Sequence, residues 1–296
     1  MTPTVAAVLV NYNSGGELRS ALQSLVQEMT CPWEGVVVDN ASTDGSESVV
    51  TEFSPEVRLV RNTTNVGFAR GVNQAIAATT APTVLVMNPD CRLTRGALAP
   101  LLTQLKQDAR CAIVAPQVLD PDGSPQGNAR GDPDMFTGLF GRTGALRRTL
   151  PGLQIAQRNV VTGATDAGAS IVVDWVSGAC LVARRTALAD VGGFDERYFM
   201  YWEDADLCRR LRQRGYRIRY VPAAVAVHRV GQSSKTARAS SLRAFHRSAY
   251  LYYATHVARG VLNPKRWLAR VLLTTRLWWK LRSDAEFRMQ NSGRSD

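Results

Sequence analysis

The sequence predicts an α/β protein whose mostly parallel sheet carries helices on both faces. Short β-branched runs alternate with stretches of helical period from residue 4 to residue 119, and such alternation is typical of consecutive βαβ units. The chain has 296 residues, of which 45% are hydrophobic. That is enough for one large domain, or for one domain of about 200 residues with an appendage, built around a real core.

The predicted elements follow one another in a regular order. Strands are predicted at residues 4–12, 35–40, 57–62, 83–88 and 111–119. Helices are predicted between them at residues 15–27, 44–53, 68–79 and 95–107. Residues 120–170 are rich in Gly, Pro, Asp and Arg and predict a long loop or insertion of the kind that covers a site. We then expect a strand–turn–strand at 171–185, a helix within 198–216 and two strands at 217–222 and 224–230.

Charge divides the chain at residue 228. The formal net charge is +11. Residues 1–228 contain 22 Lys or Arg and 22 Asp or Glu, whereas residues 229–296 contain 14 Lys or Arg and only three acids. The excess positive charge therefore lies in a C-terminal segment that is also rich in Tyr and Trp. We predict a main domain at 1–228 and a basic, aromatic, helical tail at 229–296.

The composition of this tail suggests its partner. It has no uninterrupted apolar run of about 18 residues that would span a bilayer. A basic, aromatic, amphipathic segment favours a helix that lies on an anionic membrane surface. The alternatives are a helix that packs on the main domain and exposes its arginines, and a contact within a homodimer. Nucleic acid is not expected as a partner, because the Tyr, Trp and Leu residues form an apolar belt without a nucleic-acid motif.

The cysteines and the N-terminus predict the compartment. The five cysteines are odd in number, scattered and never spaced as C-x-x-C, which indicates reduced cytosolic thiols and argues against a disulfide or zinc framework. The N-terminus leads into an apolar run without a basic region or cleavage site, so no secretion signal is expected. With the basic tail, these features predict a cytoplasmic protein held peripherally on the inner face of the cell membrane.

Polar residues follow three of the predicted strands, at the point where each strand ends. Ligands of parallel α/β sheets bind outside the carboxyl ends of the strands, so these residues are the first candidates for a site. The chain contains neither G-x-G-x-x-G nor G-x-x-x-x-G-K-[ST], which argues against dinucleotide-binding enzymes and P-loop NTPases. The strand-end residues are Asn11, Tyr12, Asn13, Asp39, Asn40, Asn88, Pro89 and Asp90.

Three side chains at this edge carry specific chemistry. Asp39 is an acceptor that suits the imide N–H of uracil or thymine, although a strand-end acid that starts a turn is the simpler interpretation of Asp39 alone. Asp90 is a candidate ligand for Mg²⁺ or Mn²⁺, which one or two protein carboxylates and substrate oxygens commonly hold. His228 ends an apolar run at the same edge. It is a candidate ligand only if a neighbouring strand brings an acid beside it.

The helix within residues 198–216 carries three acids. At about 100° per residue, Asp204 shares a face with Leu207 and Leu211. Glu203 and Asp206 lie on another side, towards the arginines. Asp204 alone is therefore predicted to point at apolar surface. It is either a cap of the helix or a base on the wall of a pocket.

Seven blocks of the sequence resemble one family, in its order and at its approximate spacing. The blocks are AAVLVNYN, VVVDNASTDGS, NVGFARGVNQAI, VLVMNPD, WVSGACLVARR, GGFDERYFMYWEDADLCRRLRQRGY and VAVHRVGQS. They lie within residues 4–235 and resemble the family 2 glycosyltransferases, most of all the bacterial rhamnosyltransferase-like branch. The residues after 235 carry no motif of that family.

The resemblance implies a GT-A fold and an inverting transfer of a sugar from a nucleoside diphosphate to a hydroxyl group. It implies that Asp39 binds the pyrimidine base and that Asp204 is the catalytic base, with Glu203 orienting the acceptor hydroxyl. Trp175 and Gly178 would form the acceptor side, and the alternative for Trp175 is a place in the core. The residues implied to bind the donor are Asn11, Tyr12, Asn13, Asp39, Asn40, Asn65, Gly67, Arg70 and Asn88.

The metal motif departs from the usual form of the family. The usual D-x-D motif reads Asn88-Pro89-Asp90 in this chain, so Asp90 would hold Mg²⁺ or Mn²⁺ alone or with His228. The implied donor is dTDP-rhamnose or a similar pyrimidine-nucleotide sugar, and the implied acceptor is a lipid-linked or cell-envelope glycan. The alternative is a non-catalytic nucleotide-sugar binding protein whose metal site has decayed.

Overall fold

The structure, a computed structural model, describes residues 2–132, 169–229 and 238–292. The strands are β1 (Val5–Asn11), β2 (Trp33–Asp39), β3 (Val57–Arg61), β4 (Thr83–Met87), β5 (Cys91–Leu93), β6 (Cys111–Leu119), β7 (Ala129–Arg130), β8 (Ile171–Val173), β9 (Trp175–Val176), β10 (Cys180–Arg184) and β11 (Arg217–His228). The helices are α1 (Glu17–Glu28), α2 (Phe68–Ala77), α3 (Leu98–Gln107), α4 (Arg185–Asp190), α5 (Glu203–Gln213), α6 (Arg238–His256) and α7 (Pro264–Ser292), with a 3₁₀ helix at Ser46–Phe53.

One mixed sheet of nine strands organises these elements. Its order is β3-β2-β1-β4-β10-β6-β11-β5, with β8 paired to β11, while β7 and β9 form a separate ribbon. The first four strands are parallel to one another, as are β6 and β11, whereas β5, β8 and β10 are antiparallel to their neighbours. The prediction of a mostly parallel α/β sheet flanked by helices is confirmed.

The register of the strands sets the position of the polar strand ends. Asn11 pairs with Asp39 at the ends of β1 and β2. At the other side of the sheet, His228 pairs with Cys91, which places His228 beside Asp90. Because these strand ends share one edge of the sheet, candidates that lie 140 residues apart in sequence come together.

Two buried apolar layers cover the two faces of the sheet. One layer lies under α1 and α3 and includes Leu22 and Leu101. The other lies under α2 and α5 and includes Leu207 and Leu211. β1 is buried along its whole length, as a strand covered on both faces must be.

Two predicted elements differ in detail. The two strands predicted at 217–222 and 224–230 form the single strand β11, whose register with β6 shifts between Val221 and Val225. Pro222 has no N–H to donate to the ladder, so pairing is interrupted there while the chain direction continues. Of the predicted covering loop at 120–170, residues 133–168 lie outside the described residues; before them, β7 pairs with β9.

The described part of the tail consists of two helices with different surroundings. α6 packs on the main domain, and its Tyr252 is part of the main core at 2% exposure. α7 packs along α6 and exposes Trp267, Trp278 and Trp279. Of the two helices, α6 therefore packs on the main domain, whereas α7 presents an exposed aromatic surface. Within the described ranges, no helix has both the length and the apolar character needed to cross a membrane.

Candidate functional site

A cavity of about 890 Å³ lies at the carboxyl edge of the sheet. Loops after β1, β2, β3 and β4, the turn between β9 and β10, the first turn of α5 and the first turns of α6 line it. The predicted site residues that line this cavity are Tyr12, Asn40, Asn65, Gly67, Asn88, Asp90, Trp175, Gly178, Glu203, Asp204 and His228. The cavity lining does not include Asn11, Asn13, Asp39 or Arg70.

Asp39 and Asn11 form a buried network behind the cavity wall. Asn11 Nδ2 donates to Asp39 Oδ1 at 2.8 Å, and the Ser42 hydroxyl and backbone N–H donate to the two Asp39 oxygens at 2.6 and 3.0 Å. Asn13 accepts the Thr43 N–H at 2.8 Å and so holds the same loop. Asp39 is 3% exposed. Its assignment to the pyrimidine base stays a prediction, and the neighbouring Asn40 is the residue of this loop that lines the cavity.

The loop before α2 brings backbone close to the cavity. Asn65 Oδ1 accepts the Gly67 N–H at 2.9 Å, and Asn40 Nδ2 donates to the Gly67 carbonyl at 3.1 Å. Gly67 has φ of +90°, and a Cβ there would lie 2.5 Å from the Phe199 carbonyl oxygen. Only glycine fits this position without a rearrangement.

Arg70 lies outside the cavity. It stands on the outer face of α2, its side chain is 57% exposed and its guanidinium is 3.8 Å from the Glu196 carboxylate. The structure therefore does not bring this cation to the cavity in the described conformation. Its assignment to the diphosphate is the part of the donor site that the geometry supports least.

Asp90 and His228 form a pair with the chemistry of a metal site. Asp90 Oδ1 is 3.0 Å from His228 Nε2, and Asn88 Nδ2 is 3.4 Å from the same nitrogen. Gln126 Oε1 is 3.0 Å from His228 Nδ1, while the Gln126 amide nitrogen donates to Asp120 and to the His228 carbonyl. Because the amide nitrogen already has two acceptors, Gln126 presents its oxygen to the ring, and Nδ1 is the donor of this contact.

With Nδ1 as the donor to Gln126, the Nε2 atom of an unprotonated ring would be available to a cation, together with Asp90 Oδ1 at 3.0 Å from it. A metal-binding histidine usually donates its other ring N–H to an oxygen in this way. The expected partner acid for His228 is thus present, and Gln126 is an orienting residue that sequence reasoning missed. No group of three His, Cys, Asp or Glu suited to a metal occurs among the described residues. A cation held by Asp90 and His228 would take its remaining ligands from the substrate and water.

Asp204 lies on the cavity wall at the start of α5. Its Oδ2 accepts the Gly178 N–H at 3.0 Å and its Oδ1 accepts the Ala205 N–H at 2.8 Å. The cap position of α5 is Trp202, with φ of +69° and no side-chain cap hydrogen bond. The alternative that Asp204 caps the helix is therefore wrong, because Asp204 is already inside the first turn. Each carboxylate oxygen retains a lone pair for a proton.

The expectation that only Asp204 points inward is also wrong. Glu203, Asp204 and Asp206 are 6%, 7% and 1% exposed, so Asp206 is the most buried of the three. Its Oδ2 accepts from Arg210 Nε at 2.7 Å, as the helical spacing predicts, but its Oδ1 lies 2.6 Å from His256 Nε2 on α6. Sequence reasoning could not find this contact, since the covering helix lies 50 residues away.

Burial also fixes the ionisation of groups around this network. Burial and the negative charge of Asp206 raise the pKa of Tyr198 well above its ordinary value. Burial raises the pKa of Tyr252 to about 12 and that of Cys208 to about 12. These groups therefore stay neutral near pH 7. The Cys208 thiol, on α5, is therefore a poor nucleophile near pH 7, because the thiolate is the reactive form.

Trp175 is both a core residue and a wall residue. It is 9% exposed, its Nε1 donates to the Gly131 carbonyl at 2.9 Å, and Arg130 lies over its ring at 5.6 Å. Gly178 follows it in the turn that holds Asp204. The predicted acceptor side is therefore close to the catalytic-base candidate. Trp175 is a core residue, and its contact with the acceptor stays a prediction.

Comparison with known proteins gives consistent results over nearly the whole chain. The family model described as Glycosyl transferase family 2 matches residues 6–160, and the model described as Glycosyl transferase family group 2 matches residues 146–283. The N-acetylglucosaminyl-diphospho-decaprenol L-rhamnosyltransferase of Mycobacterium tuberculosis is 34% identical over 298 residues, covering 96% of this chain and 94% of that protein.

A shorter stretch and a solved structure add to this result. The rhamnosyltransferase WbbL of Escherichia coli K12 is 40% identical over 83 residues, which are 28% of this chain and 31% of that protein. The mannosyltransferase PcManGT of Pyrobaculum calidifontis, solved with GDP-Man and Mn²⁺, superposes with a TM-score of 0.58 at 20% identity. The match covers 100% of this chain and 77% of that one, and it supports the fold.

Proposed function

The chain belongs to the family 2 glycosyltransferases, which are inverting enzymes, and from this premise we propose that it transfers rhamnose from dTDP-rhamnose to a lipid-linked N-acetylglucosamine. The observation that carries this proposal is that the Asp90–His228 pair and Asp204 line one cavity. The sugar and acceptor are proposed from the mycobacterial relative, an N-acetylglucosaminyl-diphospho-decaprenol L-rhamnosyltransferase. The non-catalytic alternative has no support, because both the family and the acid on the wall favour catalysis.

In the proposed mechanism, Asp204 acts as the general base. An inverting transfer by single displacement needs a base that takes the acceptor proton as its oxygen attacks the anomeric carbon. The backbone N–H groups of Gly178 and Ala205 fix the Asp204 carboxylate in one orientation. Glu203, next in the chain and on the same cavity wall, is placed to orient the acceptor hydroxyl.

The donor side is proposed at the opposite wall. Tyr12, Asn40 and Asn65 would contact the nucleoside, and the backbone at Gly67 would approach the ribose or diphosphate closely. Asp90 and His228 would hold Mg²⁺ or Mn²⁺, which neutralises charge on the leaving diphosphate when it is bound. Asp39 would hold the loop that carries Asn40 to the nucleoside, and Asn11 and Asn13 would fix the same loop.

Donor binding is expected to depend on the cation. With dTDP-rhamnose at about 100 times its Kd, the stability of the wild-type protein should rise by about 2.7 kcal/mol, measured as a thermal shift. Omitting Mn²⁺ and Mg²⁺ should remove most of this shift. Asp90→Asn should show only the small thermal shift expected without a cation, whether or not Mn²⁺ or Mg²⁺ is added. Asp122 is an exposed acid, and Asp122→Asn should behave as wild type. A wild-type shift that is indifferent to the cation would contradict the metal assignment.

The exposed face of α7 is proposed to bind an anionic membrane surface, such as the cytoplasmic leaflet. Trp267, Val271, Trp278 and Trp279 are 54%, 61%, 57% and 69% exposed and recur at helical spacing along one side. Such a stripe flanked by Lys and Arg is typical of interfacial helices. A homodimer contact through the same face is the alternative outcome.

Vesicle binding tests this surface. The wild-type protein should co-sediment with vesicles that contain phosphatidylserine, and binding should weaken as salt rises. Trp278→Ser with Trp279→Ser should reduce binding by about tenfold or more, because two exposed aromatic anchors are lost. Val26→Ser removes an exposed apolar side chain from α1 and should have no effect. Equal binding to neutral vesicles, or a concentration-dependent dimer without vesicle binding, would contradict the assignment.

A further inference from the structure

The first turns of α6 form a wall of the cavity that the family motifs do not include. Ser240, Ser241, Ala244 and Phe245 line the cavity. Ser240 and Ala244, like Ser241 and Phe245, are four residues apart, so each pair lies on one strip of the helix surface. The helix is anchored further along, where Tyr252 enters the main core. The wall is therefore a fixed part of the site, although its residues belong to the basic tail.

Phe245 packs against the aromatic residues that precede the N-terminus of α5. Its ring centroid lies 5.7 Å from that of Tyr201 and 6.0 Å from that of Trp202. Both of these aromatics have φ of +69°, a conformation that is costly for such residues and persists only where the surroundings hold it. The Ser248 hydroxyl donates to the Met200 carbonyl at 2.9 Å and helps to hold this segment.

The cluster lies next to the proposed base. Trp202 is the N-cap residue of α5, so the aromatic wall is adjacent to Glu203 and Asp204 in the first turn of that helix. The Trp202 indole N–H is buried and has no hydrogen-bond partner in the described part of the chain. The proposed donor side, at Asn40 and Asp90, consists of other loops at the same cavity. The α6 side, like the side at Trp175 and Gly178, therefore lies apart from the proposed donor residues and is available to a second substrate.

We propose that the wall formed by Ser240, Ser241, Phe245 and Trp202 binds the sugar ring of the acceptor. The C–H face of a pyranose packs on aromatic rings, and its hydroxyls exchange hydrogen bonds with serine hydroxyls. A ring held here would present a hydroxyl towards Asp204. This inference rests on the proposed function, and it assigns the specificity for the acceptor sugar to the tail.

The connection between α6 and α7 fits a sugar that is attached to a lipid. Tyr250 of α6 lies 5.9 Å from the Arg266 guanidinium and 5.8 Å from that of Arg270, both on α7. The same helical pair thus carries the sugar-binding wall on one helix and the exposed Trp face on the other. An acceptor could keep its lipid in the bilayer while its sugar enters the cavity.

Kinetics of Phe245→Ala test this site. With a synthetic N-acetylglucosaminyl-diphospho-lipid and dTDP-rhamnose, we expect the acceptor KM to rise about tenfold, equivalent to about 1.4 kcal/mol. The donor KM and the rate of donor hydrolysis by water should stay within about twofold of wild type. Phe245→Tyr should restore the acceptor KM. Tyr250→Ala, on the side of α6 that faces α7, is the matched control and should keep the acceptor KM of wild type.

The outcomes separate this inference from the proposed function. An unchanged acceptor KM in Phe245→Ala, or a rise in the donor KM of equal size, would overturn it. If the wild-type protein transfers no rhamnose with these substrates, the proposed function fails, and binding of the acceptor lipid is then measured by titration calorimetry. Loss of that binding in Phe245→Ala, with Tyr250→Ala unaffected, supports the site. Equal binding by wild type and Phe245→Ala overturns it.

Discussion

Asp204→Asn is expected to lower the rate of sugar transfer by about 10²–10⁴-fold, because a positioned general base contributes that much to a proton transfer. Asparagine keeps the size of the side chain but cannot accept the proton of the acceptor hydroxyl. The amide also turns its NH₂ group towards one of the two N–H groups that bind the carboxylate. A stability loss of about 1–3 kcal/mol should therefore accompany the loss of rate.

Two further measurements keep this prediction specific. Donor binding by calorimetry should persist in Asp204→Asn, which shows that the cavity is still formed. Asp190→Asn changes an exposed acid that pairs with Tyr216, and it should retain full activity. Transfer at the wild-type rate by folded Asp204→Asn would remove Asp204 from the mechanism.

Asp206→Ala is expected to destabilise the protein by about 3–5 kcal/mol, because it leaves buried charged and polar partners without a counterpart. The carboxylate binds Arg210 at 2.7 Å and His256 at 2.6 Å, and the Tyr198 hydroxyl lies 3.5 Å away. The loss should also weaken the attachment of α6 to α5. Urea unfolding followed by circular dichroism gives the free energy of unfolding.

An exposed ion pair provides the control for Asp206→Ala. Glu52 pairs with Arg19 on the surface, and both side chains are nearly half exposed. Glu52→Ala should change the free energy of unfolding by less than about 1 kcal/mol, the usual value of a surface pair. If Asp206→Ala costs no more than Glu52→Ala, the buried network does not stabilise the junction between α5 and the tail.

Much of the fold and both members of the proposed metal pair could be predicted from local sequence. Apolar runs fix the strands, and the rule that ligands bind at the carboxyl edge brought Asp90 and His228 into one hypothesis. The pairing of His228 with Cys91 in adjacent strands explains why His228 lies beside Asp90 in the structure. Gln126 was missed, because an amide that orients a histidine ring has no sequence signature.

Residues whose environment is made by distant parts of the chain were harder to predict. Helical phase correctly placed Asp206 near Arg210, yet it could not show that α6 covers this side and buries the acid. Similarly, the position of Asp39 at a strand end could not show that Asn11 and Ser42 enclose its carboxylate. Composition set the tail apart from the domain, and only packing shows that Phe245 belongs to the cavity.

The anomeric configuration of the product tests the central claim most directly. Wild-type protein is incubated with dTDP-rhamnose, a divalent cation and a lipid-linked N-acetylglucosamine, and the configuration of the transferred sugar is compared with that of the donor by NMR. A single displacement assisted by Asp204 predicts a disaccharide of opposite anomeric configuration. A product that retains the donor configuration would contradict this mechanism, and the absence of any rhamnosylated lipid would contradict the proposed substrates.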